Sequence, residues 1–466
     1  MEDIKSVMVV DLYALVNSKD EEDKALLKTI KKVFVEGWVR TNRDNGSIGF
    51  ISLNDGTCFK NVQLVYSKDT KGYENLSHIN TGAAIAVIGE LALTPDAKQP
   101  FEIRVDEFEL KGDVASDYPL QKKAHSLEFL REIAHLRPRA NTFNAVFRMR
   151  NAMAMAIHDY FQQHGFLYIH TPIITGNDAE GAGSTFNVTT NDKDPNSFFG
   201  KPVSLTVSGQ LHVEAFALAF RDVYTFGPTF RAEHSNTTRH ASEFWMIEPE
   251  LAFADLEDDM ECIEGCLKHC IDVALHECPD EIDFFNSYID KNLKERLHAV
   301  LHSDFKRLTY TAAIEELKKA VKNGVKFENS KIEWGMDLQS EHERYITEKV
   351  VGGPVFVIDY PKDLKAFYMK QNDDGKTVAA CDLLVPYVGE LVGGSQREDR
   401  YDVLKKRMEE VGCLKGLEWY LDLRKYGGCE HAGFGIGFDR LIMYVTGMSN
   451  IRDVQPFPRT SDPIKY

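Results

Sequence analysis

The chain has 466 residues, with 55 Lys plus Arg against 72 Asp plus Glu, a formal charge of −17. At this length two or three domains with their own cores are expected, and a composition of 43% hydrophobic and 27% charged residues is that of a globular protein, not a disordered one. No apolar run approaches the about 20 residues that span a bilayer, the stretch MEDIKSVMVVDLYALVNSK has neither the basic start nor the cleavage pattern of a secretion signal, and eight thinly spread cysteines argue against a disulfide framework and for a reducing cytoplasm.

The segment 20–32 reads as a helix. KKVFVEGWVR, SIGFISL, FKNVQLVY, AAIAVIGELAL and FEIRVDEFEL, between 31 and 110, read as strands, with Asn45-Gly46 and Asn54-Asp55-Gly56 as turns. About five strands in this span predict a small β-barrel. From 113 to 140, Pro119 and Pro138 mark a connector with one short helix, and 141–164 reads as a long helix ended by Gly165. Beyond it, strand-like runs (SLTVS, VYTFGPTFRAE, FWMIEPELAF, VFVIDYP, AFYMK, ACDLLVP) surround a mostly helical block at 256–347, which predicts an α+β domain. Cys262, Cys266 and Cys270 recur every four residues. That is one stripe of one helix, which packs more readily than it encloses a metal.

Two stretches carry chemistry. In FRAEHSNTTRHASEFWMIEPELAF, residues 230–253, a strand places Arg231 and Glu233 on one face because side chains two apart point the same way. A polar loop with Arg239 and His240 follows, then a second strand bearing Phe244. In HAGFGIGFDRLIMYVTGMSNIRDVQPFPRT, residues 431–460, alternate glycines at 433, 435 and 437 let a backbone pass close to something before Asp439 and Arg440 open an apolar helix. The spacing is neither that of a dinucleotide fingerprint nor that of a P-loop.

Together these stretches resemble motifs 2 and 3 of the class II aminoacyl-tRNA synthetases. The helix of 141–164 leading to GFLYIHTPIIT, with Pro172, resembles motif 1. A β-barrel ahead of the catalytic domain is similar to the subclass with an OB-fold anticodon domain, the aspartyl, asparaginyl and lysyl enzymes. The resemblance implies an OB-fold domain over 1–113, a linker at 114–138, and a catalytic domain over 139–466, built on an antiparallel sheet flanked by helices and carrying the helical insertion at 256–347. It also implies a homodimer through motif 1.

Two further segments separate the subclass members. In SLTVSGQLHVEAF the position where aspartyl enzymes carry a Lys is Val213, followed by Glu214. Exchanging a cation for a carboxylate favours a carboxamide over a second carboxylate. In VGELVGGSQRED, Arg397 offers N–H donors to a side-chain oxygen and does not suit a lysine ammonium. The wording looks asparaginyl. The expected reaction is ATP-dependent ligation of L-asparagine to tRNA(Asn) through an asparaginyl-adenylate. An aspartyl enzyme, or a paralogue that has lost tRNA charging, remains the alternative.

By resemblance, Arg231 holds the α-phosphate of ATP, Glu233 contacts the adenine or a metal-bound group, and Phe244 and Arg440 sandwich the adenine. Arg239 and His240 reach the pyrophosphate or the acceptor end. Asp382 and Glu390 hold Mg²⁺, although their spacing is eight residues where seven is expected. Glu180, Ser208 and Gln210 hold the amino acid's ammonium and carboxylate, while Glu214 reads its amide NH₂ and Arg397 its amide oxygen. In the barrel, Phe50 stacks an anticodon base, Gln63 reads a base edge and Arg40 reaches phosphate. The acidic total does not exclude this partner, because the charge is unevenly spread. Residues 28–43 hold five basic side chains and one acid, and 119–150 hold seven basics and two acids, whereas 255–264 hold six acids and no base. Net charge bounds solubility and non-specific binding, not a specific site.

Overall fold

The computed structural model describes residues 4–177, 179, 184–194, 196–235 and 237–466. The chain divides into two compact units, 1–145 and 146–466.

In the first unit, strands β1 (Ile4–Ser6), β2 (Lys32–Asp44), β3 (Ile48–Asn54), β4 (Val62–Ser67), β5 (Ala84–Leu93) and β6 (Phe101–Gly112) run in the order β1-β2-β3-β4-β6-β5. A further pairing of β2 with β5, from Lys32 opposite Glu90 to Trp38 opposite Ala84, closes the five longer strands into the predicted barrel. The period of two decides which residues fill it. Val33, Val35 and Val39 of β2 point inward, while Glu36 and Trp38 between them face out. With Ile51, Leu53, Leu64, Ile85, Val87 and Ile103 they form one core, each such side chain contributing about 1.5–3 kcal/mol. Gly46, at φ +86°, makes the tight β2–β3 turn that Asn-Gly predicts. The short parallel strand β1 and a helix over Val9–Asn17 add to the expected elements; the helix expected over 20–32 spans Glu21–Thr29. In the connector, beside the short helix Leu127–Glu132, the buried Arg137 lies with its guanidinium carbon 4.3 Å from the ring centre of Phe143.

The long helix spans Asn141–Gln163. The second unit is built on β7 (Leu167–Tyr168), β11 (Asp222–Phe230), β12 (Glu243–Ala252), β13 (Lys306–Thr309), β14 (Val355–Pro361), β15 (Thr377–Val385), β16 (Gly389–Gln396) and β17 (His431–Gly437), in the order β13-β14-β15-β16-β17-β12-β11-β7. All neighbours are antiparallel except the two edge pairs. β8 (Ile174–Thr175), β9 (Asn187–Val188) and β10 (Val203–Leu205) form a small separate sheet. The helical block is not purely helical, since Lys306–Thr309 leaves it to pair with Val355–Ile358 at the sheet edge. The run AFYMK, 366–370, is not a strand: only Met369 bridges, to Arg397. The acidic run opens the helix Leu256–Glu277 with a capping box in which the Asp255 side chain accepts from the Glu257 and Asp258 N–H groups. Cys266 and Cys270 of that helix are core residues. Among the described residues no helix is long and apolar enough to cross a membrane.

Candidate active site

The antiparallel hairpin of β11 and β12 sets Phe230 opposite Glu243, and the Arg231 N–H donates to the Ser242 carbonyl at 2.9 Å. This brings the Arg231 guanidinium carbon to 5.3 Å from the Phe244 ring centre. Beside β12 runs β17, whose glycines admit side chains from below: a Cβ at Gly435 would lie 2.6 Å from the Met246 methyl carbon. After β17 the helix Phe438–Thr446 carries Asp439, which accepts from Arg150 at 2.6 Å and from the Trp245 N–H at 3.2 Å. That pairing anchors the helix start and aims the next residue, Arg440, at Glu390, Nη1 to Oε2 at 3.3 Å.

These elements surround a cavity of about 400 Å³, of the size that holds a small ligand. Ser208, Gln210, Arg231, Glu233, Arg239, His240, Phe244, Asp382, Glu390, Arg397 and Arg440 all line it. So residues from five separated stretches, singled out for one chemistry, meet at one place. Arg239 is folded back onto the wall, donating to the Glu390 carbonyl at 3.1 Å and to Glu343 at 3.4 Å.

The carboxylates differ in their surroundings. Lys365 reaches both oxygens of Asp382, at 2.7 and 2.6 Å, with its ammonium 3.9 Å from the Tyr360 ring centre. Burial pushes the Asp382 carboxyl up, and Lys365 opposes this. Burial acts on Glu390 too, but Arg440, Lys365 and Arg239 overcome it and hold that carboxyl below its ordinary value. Glu343 accepts the Glu390 N–H at 3.0 Å and is pushed up to about 7 by burial, the charge of Glu390 adding to the effect. Glu248 accepts from the Ser208 hydroxyl and from the Gly209 N–H at 2.8 Å.

Glu214 does not line the cavity. It is fully buried, and its oxygens accept from Arg424 at 2.7 Å, His431 at 2.7 Å, Tyr420 at 2.6 Å and Gln210 at 3.3 Å. Burial raises its carboxyl, but Arg424 and His431 more than reverse that. With both oxygens doubly occupied, the side chain is a strut behind the wall, and a direct contact to a substrate amide has no free acceptor there. Glu180 lies outside the described residues. Arg40, Phe50 and Gln63 belong to the barrel. Phe50 is exposed, and Gln63 shares its outer face because Gln63 pairs with Ser52, two residues on from Phe50. Gln63 donates to Glu102 at 3.4 Å, and Arg40 donates to the Arg139 carbonyl.

Sequence reasoning missed Glu248, Glu250, Glu343 and Lys365. For the first two a signal existed: Phe244, Met246, Glu248 and Glu250 alternate along β12, so the acids share the face of the aromatic. Lys365 follows a single 3₁₀ turn, where no period helps.

Residues 126–461 match the profile of the tRNA synthetases class II (D, K and N), and 33–111 that of an OB-fold nucleic acid binding domain. The asparagine–tRNA ligase of Alkaliphilus oremlandii is 57% identical over 99% of this chain and 100% of its own length. That of Acetivibrio thermocellus is 56% identical over 98% and 99%. The crystal structure of asparaginyl-tRNA synthetase from Pyrococcus horikoshii complexed with asparaginyl-adenylate superposes with a TM-score of 0.82 at 33% identity, covering 92% of this chain and 95% of that one. With the catalytic profile matched over most of its length and relatives more than half identical from end to end, the chain belongs to the class II tRNA synthetases of the D, K and N group, and within it to the asparagine–tRNA ligases.

Proposed function

We propose that the protein activates L-asparagine with ATP and transfers it to tRNA(Asn). The observation that carries this reading is one cavity lined both by Arg231, Phe244 and Arg440 and by Ser208, Gln210 and Arg397. The asparagine carboxylate attacks the α-phosphorus of ATP and pyrophosphate leaves. A terminal ribose hydroxyl of the tRNA then attacks the adenylate carbonyl and AMP leaves. Neither step needs a covalent enzyme intermediate, so positioning and charge neutralisation carry the catalysis.

Arg231 stabilises the charge that builds on the α-phosphate. Phe244 and Arg440 take the two faces of the adenine, and Arg440 extends toward the phosphate tail. Glu233, Arg239 and His240 complete the nucleotide side, Arg239 by releasing Glu343. Ser208 and Gln210, with Glu180, orient the amino acid, and Arg397 donates to its amide oxygen. Glu214 acts through the residues it holds. Asp382 and Glu390 suit Mg²⁺, since both present hard oxygens beside Gly393, 3.5 and 3.6 Å from where its Cβ would be. Among the described residues no cluster of three protein ligands stands ready, so phosphate oxygens and water would complete the coordination. When bound there, Mg²⁺ supplies charge neutralisation on the phosphates.

Phe50, Gln63 and Arg40 form the anticodon platform, in keeping with RNA readers that stack splayed bases on aromatics. A homodimer is supported by the exposed apolar side chains Leu167, Tyr168, Ile173 and Ile174 that follow the long helix, and a cytoplasmic setting by the free, thinly spread cysteines. The deciding experiment is ATP–pyrophosphate exchange with asparagine and aspartate separately, followed by charging of total tRNA. Exchange that depends on aspartate and not on asparagine would overturn the reading.

A further inference from the structure

We propose that Glu250 governs the choice of amino acid by neutralising Arg397, so that the cavity offers N–H donors without a net positive charge. This rests on the reading that Arg397 meets the substrate side chain.

Arg397 lines the cavity, yet most of its donors are already committed. Nε donates to one oxygen of Glu250 at 3.2 Å, Nη2 donates to the other, and Nη1 donates to Ser395 Oγ at 2.8 Å. A guanidinium has five N–H groups, so two remain for a ligand. Glu250 is fully buried and Arg397 is 3% exposed, which leaves water little part in screening the pair. The fold builds the pair across three strands. Ser395, Gly433 and Glu250 lie in one row across β16, β17 and β12. A Cβ at Gly433 would lie 2.5 Å from the Glu250 carboxyl carbon, so the glycine is what lets Glu250 pass under β17 to Arg397.

The second arginine of this wall is matched in the same way, Arg424 by Glu214 at 2.7 Å, with His431 on the same oxygen. Of the further buried acids, burial pushes Asp259 behind Gly394 well above its ordinary range and raises Glu248 as well. Position 213, on the helix Gln210–Phe220, is a buried valine and adds no cation. A carboxamide oxygen accepts the two spare N–H groups and needs no counter-charge. An aspartate carboxylate at the same place would share one guanidinium with Glu250 and be repelled by it at short range. Glu250 touches Arg397 and not the substrate, so it is a positioning residue whose signature is selectivity.

The test is ATP–pyrophosphate exchange with asparagine and aspartate for the parent, Glu250→Gln, Glu250→Asp and Arg397→Gln, with thermal unfolding of each. Glu250→Gln should raise the aspartate-to-asparagine ratio of kcat/KM by about 100-fold, and Glu250→Asp, whose shorter carboxylate retracts from the guanidinium, by about 10-fold. A loss of packing alone would lower both exchanges and leave the ratio where it was. A folded Glu250→Gln with the parental ratio overturns the proposal; if that variant does not fold, an unchanged ratio in Glu250→Asp overturns it. Parental asparagine exchange in Arg397→Gln would instead defeat the underlying reading of Arg397.

Discussion

Asp382 and Glu390 face the same side of the sheet because a β-bulge lies between them. Leu383 pairs with Val392 and Leu384 with Glu390, so Leu391 is the extra residue. Asp382 pairs with Gly393, so an unbroken register would set Glu390 opposite Val385, three residues on from Asp382 and on the opposite face. The bulge absorbs the additional residue and restores the acid pair. The eight-residue spacing that set this sequence apart is thereby compatible with a shared ligand site.

Lys365 is the partner that makes the buried Asp382 tolerable. Lys365→Met should cost about 3–5 kcal/mol of stability, because it strands a desolvated carboxylate. Adding Asp382→Asn should recover most of that loss. Urea unfolding of the two single variants and the double variant measures the coupling, and additive losses would show that the pair is not a unit.

Arg231→Ala and Arg440→Ala should each lower pyrophosphate exchange by about 100- to 1,000-fold, the scale for removing one donor to developing charge. Binding of tRNA, measured by filter retention, should survive. Near-parental exchange by either variant contradicts its assigned role.

Phe50→Ala should raise the apparent KM for tRNA by about 10- to 100-fold, the value of one stacked base, and leave adenylate formation intact. Its side chain is exposed on the barrel, so little packing is lost. Equal damage to both steps would identify Phe50 as a structural residue.

Glu343 should leave a mark on the pH dependence of stability. Its carboxyl titrates at about 7 in the folded chain against an ordinary 4.5. Between these values the folded state holds the proton more tightly, so this contribution is present at low pH and is lost as pH rises through about 7. The loss is about 3 kcal/mol at 1.36 kcal/mol per unit. Relative to Glu343→Gln, the parent should lose stability between pH 5 and 8; parallel curves would refute the assignment.

Features that depend on neighbours along the chain are legible in the order of the amino acids. Period-two alternation in KKVFVEGWVR and its companions specified barrel strands and their inward faces, Asn45-Gly46 specified a turn, and the residues around Arg231 and Arg440 carried the resemblance to the class II synthetases. Which acids meet which bases emerges from the packed fold. Glu250 and Arg397 are 147 residues apart, and Glu214 and Arg424 are 210 apart. Glu214 could be read from its position as facing the substrate, yet packing against Tyr420, Arg424 and His431 fills its acceptors and sets it behind the wall. Local periodicity tells which way a side chain points from its own strand or helix. Whether it then meets a substrate or a buried partner depends on sheet order and register, through which strands distant in sequence are brought side by side.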